Sequence, residues 1–450
     1  MWRPTPIVFA LVTIVAPARA AESPPPTSCD QVVAVDVGKK VDPKKVVAKV
    51  AAGTSKRRGP PELQLRGRGL DAAALSTLGK DPALAEEATL DVPCLGAAPL
   101  GALLGPGVFP GLTTLRMRDC RLDDRAAAAL AGLSARDGIA TLDLGRGKAS
   151  PAVLKTLLGL ERHAPLTAIV SGLRALPTAA LTELGKLAAN PNVTLSVAVR
   201  CPDLARVEKT AFLKHVSRIT VACGDTGAKA LARATNTAAL RRVAIDACSG
   251  DDEEADYEMT RESALALVEA PALSGVVELA FYNHEPCDQP GIGRSGLADI
   301  LSATFAPKLQ SLELEEQSLG RKGVTLLAST ERLPALRHLV LRGEHLVADD
   351  VRALVQTGPF AGRLEELGLT GVGRDAGDEL DDKTGAVLAA SCAMPKLRRL
   401  DLSENWSSSA TRELRRRASW ASQLERMELA LPDTRPCDVP WHGADVALDF

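Results

Sequence analysis

The chain has 450 residues, of which 46% are hydrophobic and only 3% are aromatic. Its 54 lysines and arginines nearly balance 56 aspartates and glutamates, so no basic domain or stripe predicts nucleic-acid binding or charge-driven attachment to a membrane. Length alone predicts about two or three domains, but an internal repeat overrides that expectation, because a solenoid grows by adding units and needs no single central core.

The first twenty residues have the pattern of a secretory signal peptide. Arg3 supplies a positive start, residues 7–16 form an apolar run, and Ala18-Arg19-Ala20 has the small-x-small pattern of a cleavage site. The apolar run is shorter than the roughly 20 residues that a membrane-spanning helix needs, and no lipid-attachment cysteine directly follows the cleavage site. The sequence therefore predicts an exported chain, periplasmic in a bacterium or secreted, with no stable membrane span after cleavage. An uncleaved anchor is the alternative.

Residues 21–61 are interpreted as a linker and a small N-terminal cap. A run of three prolines begins at Pro24, and residues 31–37 have the composition of a strand. Asp42-Pro43 predicts a helix start, because aspartate caps a helix and proline suits its first position. A second proline- and glycine-containing break at 54–61 separates this region from the rest of the chain.

From residue 62 onward one short motif recurs, seen most plainly at 309–314 and 336–341, where both copies read L-x-x-L-x-L. Side chains alternate along a strand, so the last two leucines of each copy point to one face and the residue between them to the other. A strand with two inward residues becomes stable only when copies stack. There are fourteen copies, and the intervals between Leu63 and Met427 average 28 residues. The copies lie at 63–65, 90–92, 112–117, 139–144, 166–171, 194–197, 216–221, 240–245, 276–281, 309–314, 336–341, 364–369, 397–402 and 424–429.

Helical patterns with start signals lie between the strand motifs. Apolar residues recur there at spacings of three and four, which predicts one buried stripe per helix. The start signals are Asp123-Asp124, Ser150-Pro151, Thr260 and Asp349-Asp350. One strand and one helix in each repeat predict an α/β solenoid.

The segment 62–432 resembles the leucine-rich repeat superfamily, and its long repeats are most similar to the ribonuclease-inhibitor-like subclass. The resemblance rests on the motif and on its ninth position, where the family places Asn or Cys to tie adjacent repeats together. That position holds Cys120, Cys248 and Asn405 in three repeats. In other repeats the ninth position holds Gly147, Gln317, Glu344 or Val372. These residues predict a less regular hydrogen-bonded ladder.

The resemblance implies a curved horseshoe of about 14 repeats, with parallel strands on the concave face and helices on the convex face. It also implies protein binding through the concave face and the adjoining loops. Residues 433–450 are assigned to a C-terminal cap or tail. Trp406, Trp420 and Trp441 are interpreted as apolar cover for the last repeat, with stacking on a ligand as the alternative.

Three insertions lengthen the repeat, at 249–259, 282–293 and 370–383. Each follows a strand motif, and all strands run the same way, so the insertions are expected on one rim of the solenoid. Binding residues are often found on such loops because a rigid scaffold positions them. The only two tyrosines of the chain, Tyr257 and Tyr282, lie within the first two insertions, and tyrosine is enriched at interface hot spots. The alternative is that the loops are solvated and the tyrosines pack locally.

The predicted binding surface combines the tyrosines with outward strand residues near the insertions. Because three of these residues are glutamates, a partner presenting Lys or Arg is the expectation. The alternative function is a structural or adhesive component of the cell envelope without a single specific ligand, favoured by the scarcity of aromatic residues. The predicted binding residues are Tyr257, Tyr282, Glu278, Glu313, Glu315, His338 and Arg342.

Six of the nine cysteines are placed in pairs just past strands of neighbouring repeats. Adjacent strands lie about 4.8 Å apart, within the ~4.4–6.8 Å Cα separation of a disulfide, so bridges between neighbouring repeats are feasible in an exported chain. The pairs are Cys94 with Cys120, Cys201 with Cys223, and Cys248 with Cys287. For Cys120 and Cys248 the alternative is a buried free thiol at the family's Asn-or-Cys position.

Neither a metal site nor a catalytic centre is predicted. The cluster His284, Glu285, Cys287 and Asp288 is short of a closed zinc set, and the acidic insertions lack the alternate-residue spacing of a calcium loop. No nucleophile elbow, zincin motif or phosphate-binding loop occurs in the sequence. The sequence therefore predicts a non-enzymatic binding protein without a cofactor.

Overall fold

The computed structural model describes residues 32–36 and, with gaps, residues 62–429. The gaps fall at 67–69, 85–87, 118–119, 121, 146–148, 171–172, 174–175, 248–257, 271–272, 284–290, 371–381, 392, 404–423 and 425. Within this part of the chain, fifteen parallel strands form one sheet, and their order in the sheet is their order in the sequence. Such a sheet is the strand layer of a leucine-rich-repeat solenoid, with the strands on the concave face and the helices on the convex face. The predicted fold class is confirmed.

All fourteen predicted motifs lie on strands, and one strand precedes them. The first strand falls within the 31–37 segment of the predicted N-terminal cap and pairs with the first motif in register, Val33 opposite Leu63. The strands are β1 (Val32–Asp36), β2 (Glu62–Arg66), β3 (Thr89–Val92), β4 (Thr114–Met117), β5 (Thr141–Asp143), β6 (Leu166–Val170), β7 (Val193–Arg200), β8 (Val216–Ala222), β9 (Arg242–Asp246), β10 (Glu278–Tyr282), β11 (Ser311–Glu315), β12 (His338–Arg342), β13 (Glu366–Thr370), β14 (Arg399–Leu402) and β15 (Arg426–Leu429).

Short helices connect successive strands from β2 to β14. None of the described helices is long and apolar enough to cross a membrane, and the predicted signal peptide lies outside the described residues. The α-helices are α1 (Ala72–Gly79), α2 (Ala97–Leu103), α3 (Asp124–Leu130), α4 (Pro151–Leu158), α5 (Thr178–Lys186), α6 (Cys201–Val207), α7 (Gly224–Arg233), α8 (Arg261–Val268), α9 (Gly293–Ser302), α10 (Gly320–Ser329), α11 (Ala348–Arg352) and α12 (Asp382–Ala390).

The motif leucines form continuous rows through the core. Leu312 of β11 lies between Leu279 and Leu339 of the neighbouring strands, and Leu314 lies between Phe281 and Leu341. All six side chains are at most 2% exposed. Fully burying such a side chain contributes about 1.5–3 kcal/mol, and each leucine is buried by its neighbours in the next repeat, so the strands are stable only as a stack.

The predicted helix starts hold at three of the four positions. The side chains of Asp123, Ser150 and Thr260 cap α3, α4 and α8 by accepting backbone N–H groups of the first turn. The fourth prediction is wrong by one to two residues, since α11 already begins at Ala348. Asp350 instead lies inside the first turn, where its carboxylate accepts the backbone N–H of Val347 at 3.2 Å.

The inter-repeat ladder does not need Asn or Cys. The Gln317 side chain is fully buried and donates to the carbonyl oxygens of Glu315 at 2.6 Å and Phe281 at 3.4 Å, while its Oε1 accepts the N–H of Ile292 at 3.1 Å. One repeat later, the two oxygens of Glu344 accept the N–H groups of Gln317 at 2.5 Å and Leu319 at 3.0 Å. The structure therefore corrects the expectation of a less regular hydrogen-bonded ladder at these two positions. The longer amide and carboxylate side chains reach the backbone of the preceding repeat.

A second set of polar contacts joins the repeats near the amino ends of the strands. Arg162 is 5% exposed, and its guanidinium donates to the carbonyl oxygens of Leu133 at 2.6 Å, Ile139 at 2.7 Å and Arg136 at 3.0 Å. Burial lowers its pKa below the ordinary value. Carbonyl groups past the end of a helix have no partner within it, and a side chain of the next repeat satisfies them here. Buried polar side chains thus join neighbouring repeats at both ends of the strands.

Candidate binding surface on the strand face

The central strands β10, β11 and β12 bring most of the predicted binding residues together. The alternation that buries the leucines directs the intervening residues to the strand face that is turned away from the helices. In the sheet register, Glu278 is in line with Ser311 and His338, and Tyr282 is in line with Glu315 and Arg342. The described members of the predicted set that share this face are Glu278, Tyr282, Glu313, Glu315, His338 and Arg342.

The remaining predicted residue, Tyr257, lies outside the described residues, as do most residues of the three insertions. Their boundaries are described. The first insertion separates β9 from α8, the second separates β10 from α9, and the third separates β13 from α12. Each connects the carboxyl end of a strand to the following helix.

Two arginines that sequence reasoning missed organise the centre of the surface. Arg218 of β8 forms an ion pair with Glu278 at 3.1 Å, and Arg242 of β9 forms one with Glu278 at 3.6 Å and one with Glu313 at 3.3 Å. Arg218, Arg242 and Glu278 occupy the same position on three successive strands. The sequence signal was therefore present, because aligning the repeats places these side chains in one row.

Tyr282 completes this cluster. Its phenol oxygen accepts a hydrogen bond from Arg242 Nη2 at 2.7 Å and donates one to Glu313 Oε2 at 2.6 Å. Arg242 Nη2 also lies 3.4 Å from Glu313 Oε2. The side chain of Arg242 is only 5% exposed and that of Glu313 only 11%. Each group is held by the other two, so the cluster is a fixed polar layer.

These contacts revise the expected electrostatics of the surface. The sequence pointed to an acidic patch open to a lysine or arginine of a partner, with Glu278, Glu313 and Glu315 as its carboxylates. In the structure Arg218 and Arg242 neutralise Glu278 and Glu313, and Arg342 lies 3.5 Å from Glu315. The acidic residues are balanced within the chain by arginines from neighbouring strands.

A second charged group spans β12 to β14. Arg342 Nε donates to Thr370 Oγ1 at 3.0 Å, and Arg399 Nη1 donates to Glu366 Oε2 at 3.0 Å. His338 shares this face and is partly buried. Its burial, and then the positive charge of Arg399, lower the pKa of the imidazole below its ordinary value, against a smaller opposing effect of nearby carboxylates. At neutral pH His338 is therefore a neutral polar side chain.

The cysteine pairs are only partly within the described residues. Cys94 and Cys120, just past β3 and β4, are bonded to each other with their Cα atoms 4.7 Å apart. Cys120 is therefore not the free thiol that its position in the repeat favoured. Cys223 is also disulfide-bonded, whereas the side chain of Cys201 and the whole of Cys248 and Cys287 lie outside the described residues.

The described residues contain no group of three or more His, Cys, Asp or Glu side chains placed to hold a metal ion. The cluster at 284–288, considered above for metal binding, lies outside them. What the described surface offers is a set of rigid guanidinium, carboxylate, phenol and imidazole groups. Such a set provides directional hydrogen bonds at fixed positions, as a binding surface requires.

Comparison with known proteins adds little to this geometry. No protein-family model matches the sequence, and no curated protein matches it. The structure is similar to a chain from the Toll–Spatzle complex, a molecular hub in Drosophila development and innate immunity, over 82% of the present chain, with 12% identity and a TM-score of 0.31. The match covers 43% of the Toll–Spatzle chain. A likeness at this level supports no conclusion, so the fold assignment rests on the strand order, the register and the leucine rows.

Proposed function

We propose that the protein is an exported leucine-rich-repeat protein, of the ribonuclease-inhibitor-like subclass, that binds a protein partner on the strand face of β8–β14 and on the adjoining insertions. The insertions concerned are 249–259, 282–293 and 370–383. The proposal includes no catalytic step and no cofactor. The pattern of residues 1–20 supports export, to the periplasm of a bacterium or to the exterior.

The observation that carries the proposal is the fixed polar layer formed by Arg242, Tyr282 and Glu313. Burying charged groups costs several kcal/mol of desolvation for each ion, and replacing a buried ion pair by apolar side chains is often neutral or stabilising. A strand face that serves only to hold the stack together gains nothing from such groups. Tyrosine and arginine are, by contrast, the residue types enriched where binding energy is concentrated at interfaces.

The rival function is a structural or adhesive scaffold of the cell envelope without a single specific ligand. One observation favours it. The charged side chains on this face are satisfied within the chain, and small residues such as Ala244, Ala280 and Gly368 lie between them on the same face. A scaffold predicts no dependence of partner capture on any single residue of the strand face, whereas specific binding predicts a strong dependence.

A matched pair of valines separates the two functions. Val340 is half-buried on the strand face of β12, and Val268 is half-buried on the convex helix α8. The immobilised mature protein and its Val340→Lys and Val268→Lys variants are exposed to the envelope extract of the source cell, and retained proteins are identified by mass spectrometry. Circular dichroism confirms that each variant is folded.

Specific binding predicts one protein retained saturably by the wild type and by Val268→Lys, and retained at least tenfold less by Val340→Lys. Equal retention by both variants would contradict the strand face as the binding surface. If the wild type retains no protein saturably, the scaffold function is supported instead.

A further inference from the structure

The two ion pairs at the β11–β14 end of the strand face share an asymmetry that the central cluster lacks. The side chain of Arg342 is 34% exposed above Glu315, which is 12% exposed. The side chain of Arg399 is 43% exposed above Glu366, which is 4% exposed. In none of the central pairs is the arginine exposed well beyond its glutamate: the values are 26% and 24% for Arg218 and Glu278, 5% and 11% for Arg242 and Glu313, and 5% and 24% for Arg242 and Glu278.

The asymmetry orients each outer pair. A paired arginine and glutamate have no net charge, but here the carboxylate is held against the sheet and the guanidinium faces outward. A group approaching from the open side meets the guanidinium first. A carboxylate is attracted at that distance and an ammonium group is repelled. A guanidinium also presents N–H donors in a planar fork that matches the two oxygens of a carboxylate.

The other described ionisable groups around this end of the face do not cancel the outward positive charge of the two guanidinium groups. Glu365, beside Glu366, pairs with Arg337 at 2.6 Å. Asp401 is 3% exposed and its Oδ1 accepts the backbone N–H of Ser403 at 2.8 Å. His338, two strands from Arg399 in the register, is only partly exposed. Among the described residues of β12–β14, the outward-facing charge is therefore that of the two guanidinium groups.

The sheet geometry sets the separation of these two groups. Arg399 is in register with His338 across two strand spacings, and Arg342 is four residues further along β12. With strands about 4.8 Å apart and a rise of about 3.3 Å per residue, the Cα atoms of Arg342 and Arg399 are roughly 16 Å apart. An extended peptide covers that distance in about five residues.

We propose that the β12–β14 end of the strand face binds an extended acidic segment of the partner, with carboxylates on Arg342 and Arg399. This inference rests on the proposed function and specifies the partner's chemistry. It reverses the polarity expected from the sequence, in which the glutamates of this face were assigned to a basic partner. Here the glutamates position the arginines, and the arginines make the contact.

The test uses defined peptides and does not depend on identifying the partner. Fluorescein-labelled decapeptides of five Glu-Gly, Lys-Gly or Gln-Gly units are titrated onto the full-length mature protein at low salt, and binding is followed by fluorescence anisotropy. We expect saturable binding of the Glu-Gly peptide, at least tenfold tighter than that of the other two, and weakening as salt is added.

Variants locate the binding. Arg399→Gln and Arg342→Gln each weaken binding of the Glu-Gly peptide at least fivefold, and Arg352→Gln on the convex helix α11 leaves it unchanged. Arg352 is a suitable control because it is 48% exposed and also paired with a carboxylate, that of Asp349. Since Arg399→Gln leaves the buried Glu366 without its guanidinium, the double variant Arg399→Gln/Glu366→Gln provides the same loss of outward charge without an isolated buried carboxylate.

Tighter binding of the Lys-Gly peptide, or equal binding of the Glu-Gly peptide by the double variant and the wild type, overturns the inference. Either result leaves the proposed function standing if the extract experiment still shows capture that depends on Val340. The converse result is that the extract experiment shows no Val340-dependent capture while the acidic peptide still binds in an Arg399-dependent manner. That result counts against the proposed function alone.

Discussion

Replacing Arg242 by leucine tests whether the polar layer on the strand face is a coupled unit. In the wild type this side chain is 5% exposed and lies within 3.6 Å of Glu278, Tyr282 and Glu313. Removing one partner of a buried ion pair costs about 3–5 kcal/mol, because the other charge stays buried. Here the Tyr282 hydroxyl still donates to Glu313, and Arg218 still pairs with Glu278, so the lower end of that range, about 3 kcal/mol, is expected.

A second variant also removes the carboxylate of Glu313, which Arg242→Leu leaves without its guanidinium partner. Arg242→Leu/Glu313→Leu leaves no isolated carboxylate at the centre of the cluster, so its stability is expected within about 1 kcal/mol of the wild type. The free energy of unfolding is measured by urea titration with circular dichroism, and amide hydrogen exchange shows whether the loss is concentrated in β9–β11. Arg352→Leu, at an exposed pair on the convex helix α11, is the control and is expected to change stability by no more than about 0.5 kcal/mol.

Two outcomes would refute the reasoning. One is a cost below about 1 kcal/mol for Arg242→Leu, which would mean that water or other groups replace the guanidinium without difficulty. The other is a double variant as unstable as the single one. In that case the loss would come from packing around the arginine stem, and Arg242 and Glu313 would not be energetically coupled.

Two further predictions concern the ladder and the disulfide. Burial raises the pKa of Glu344 to about 7, so the folded chain keeps a proton that the unfolded chain loses near pH 4.5. The stability that this proton contributes, about 3 kcal/mol, is therefore fully present below pH 4.5 and is lost as the pH rises through 7. Glu344→Gln, compared with the wild type by urea titration between pH 4.5 and 8, should remove this part of the pH dependence, and an unchanged slope would contradict the assignment. Cys94→Ser removes a bridge whose cysteines are 26 residues apart, which predicts a loss of about 3 kcal/mol relative to the oxidised wild type and no difference from the wild type when both proteins are kept in reductant. Equal stability of the oxidised and reduced wild type would argue against a bridge that constrains the unfolded chain.

The polar contacts were harder to predict than the strands. By sequence, Gln317 and Glu344 depart from an Asn or Cys ladder, yet both form hydrogen bonds to the preceding repeat, because side-chain length decides which backbone group is within reach. Arg242 and Glu313 are 71 residues apart in sequence and two strands apart in the sheet. Superimposing the repeats places Arg242 on the same row as Glu278, yet it does not say to which carboxylate the guanidinium reaches.

The sequence by itself determined the architecture. Leucines at fixed positions in every repeat, such as Leu312 and Leu339, can be buried only against the same leucines of the next repeat, so the spacing dictates a stack of parallel strands in chain order. The tertiary structure alone decided the polarity of the proposed binding surface. Whether Glu366 or Arg399 faces the solvent depends on the reach of two side chains over the sheet and on what their neighbours leave uncovered. Composition gives both residues a charge, but only packing determines which charge a partner meets.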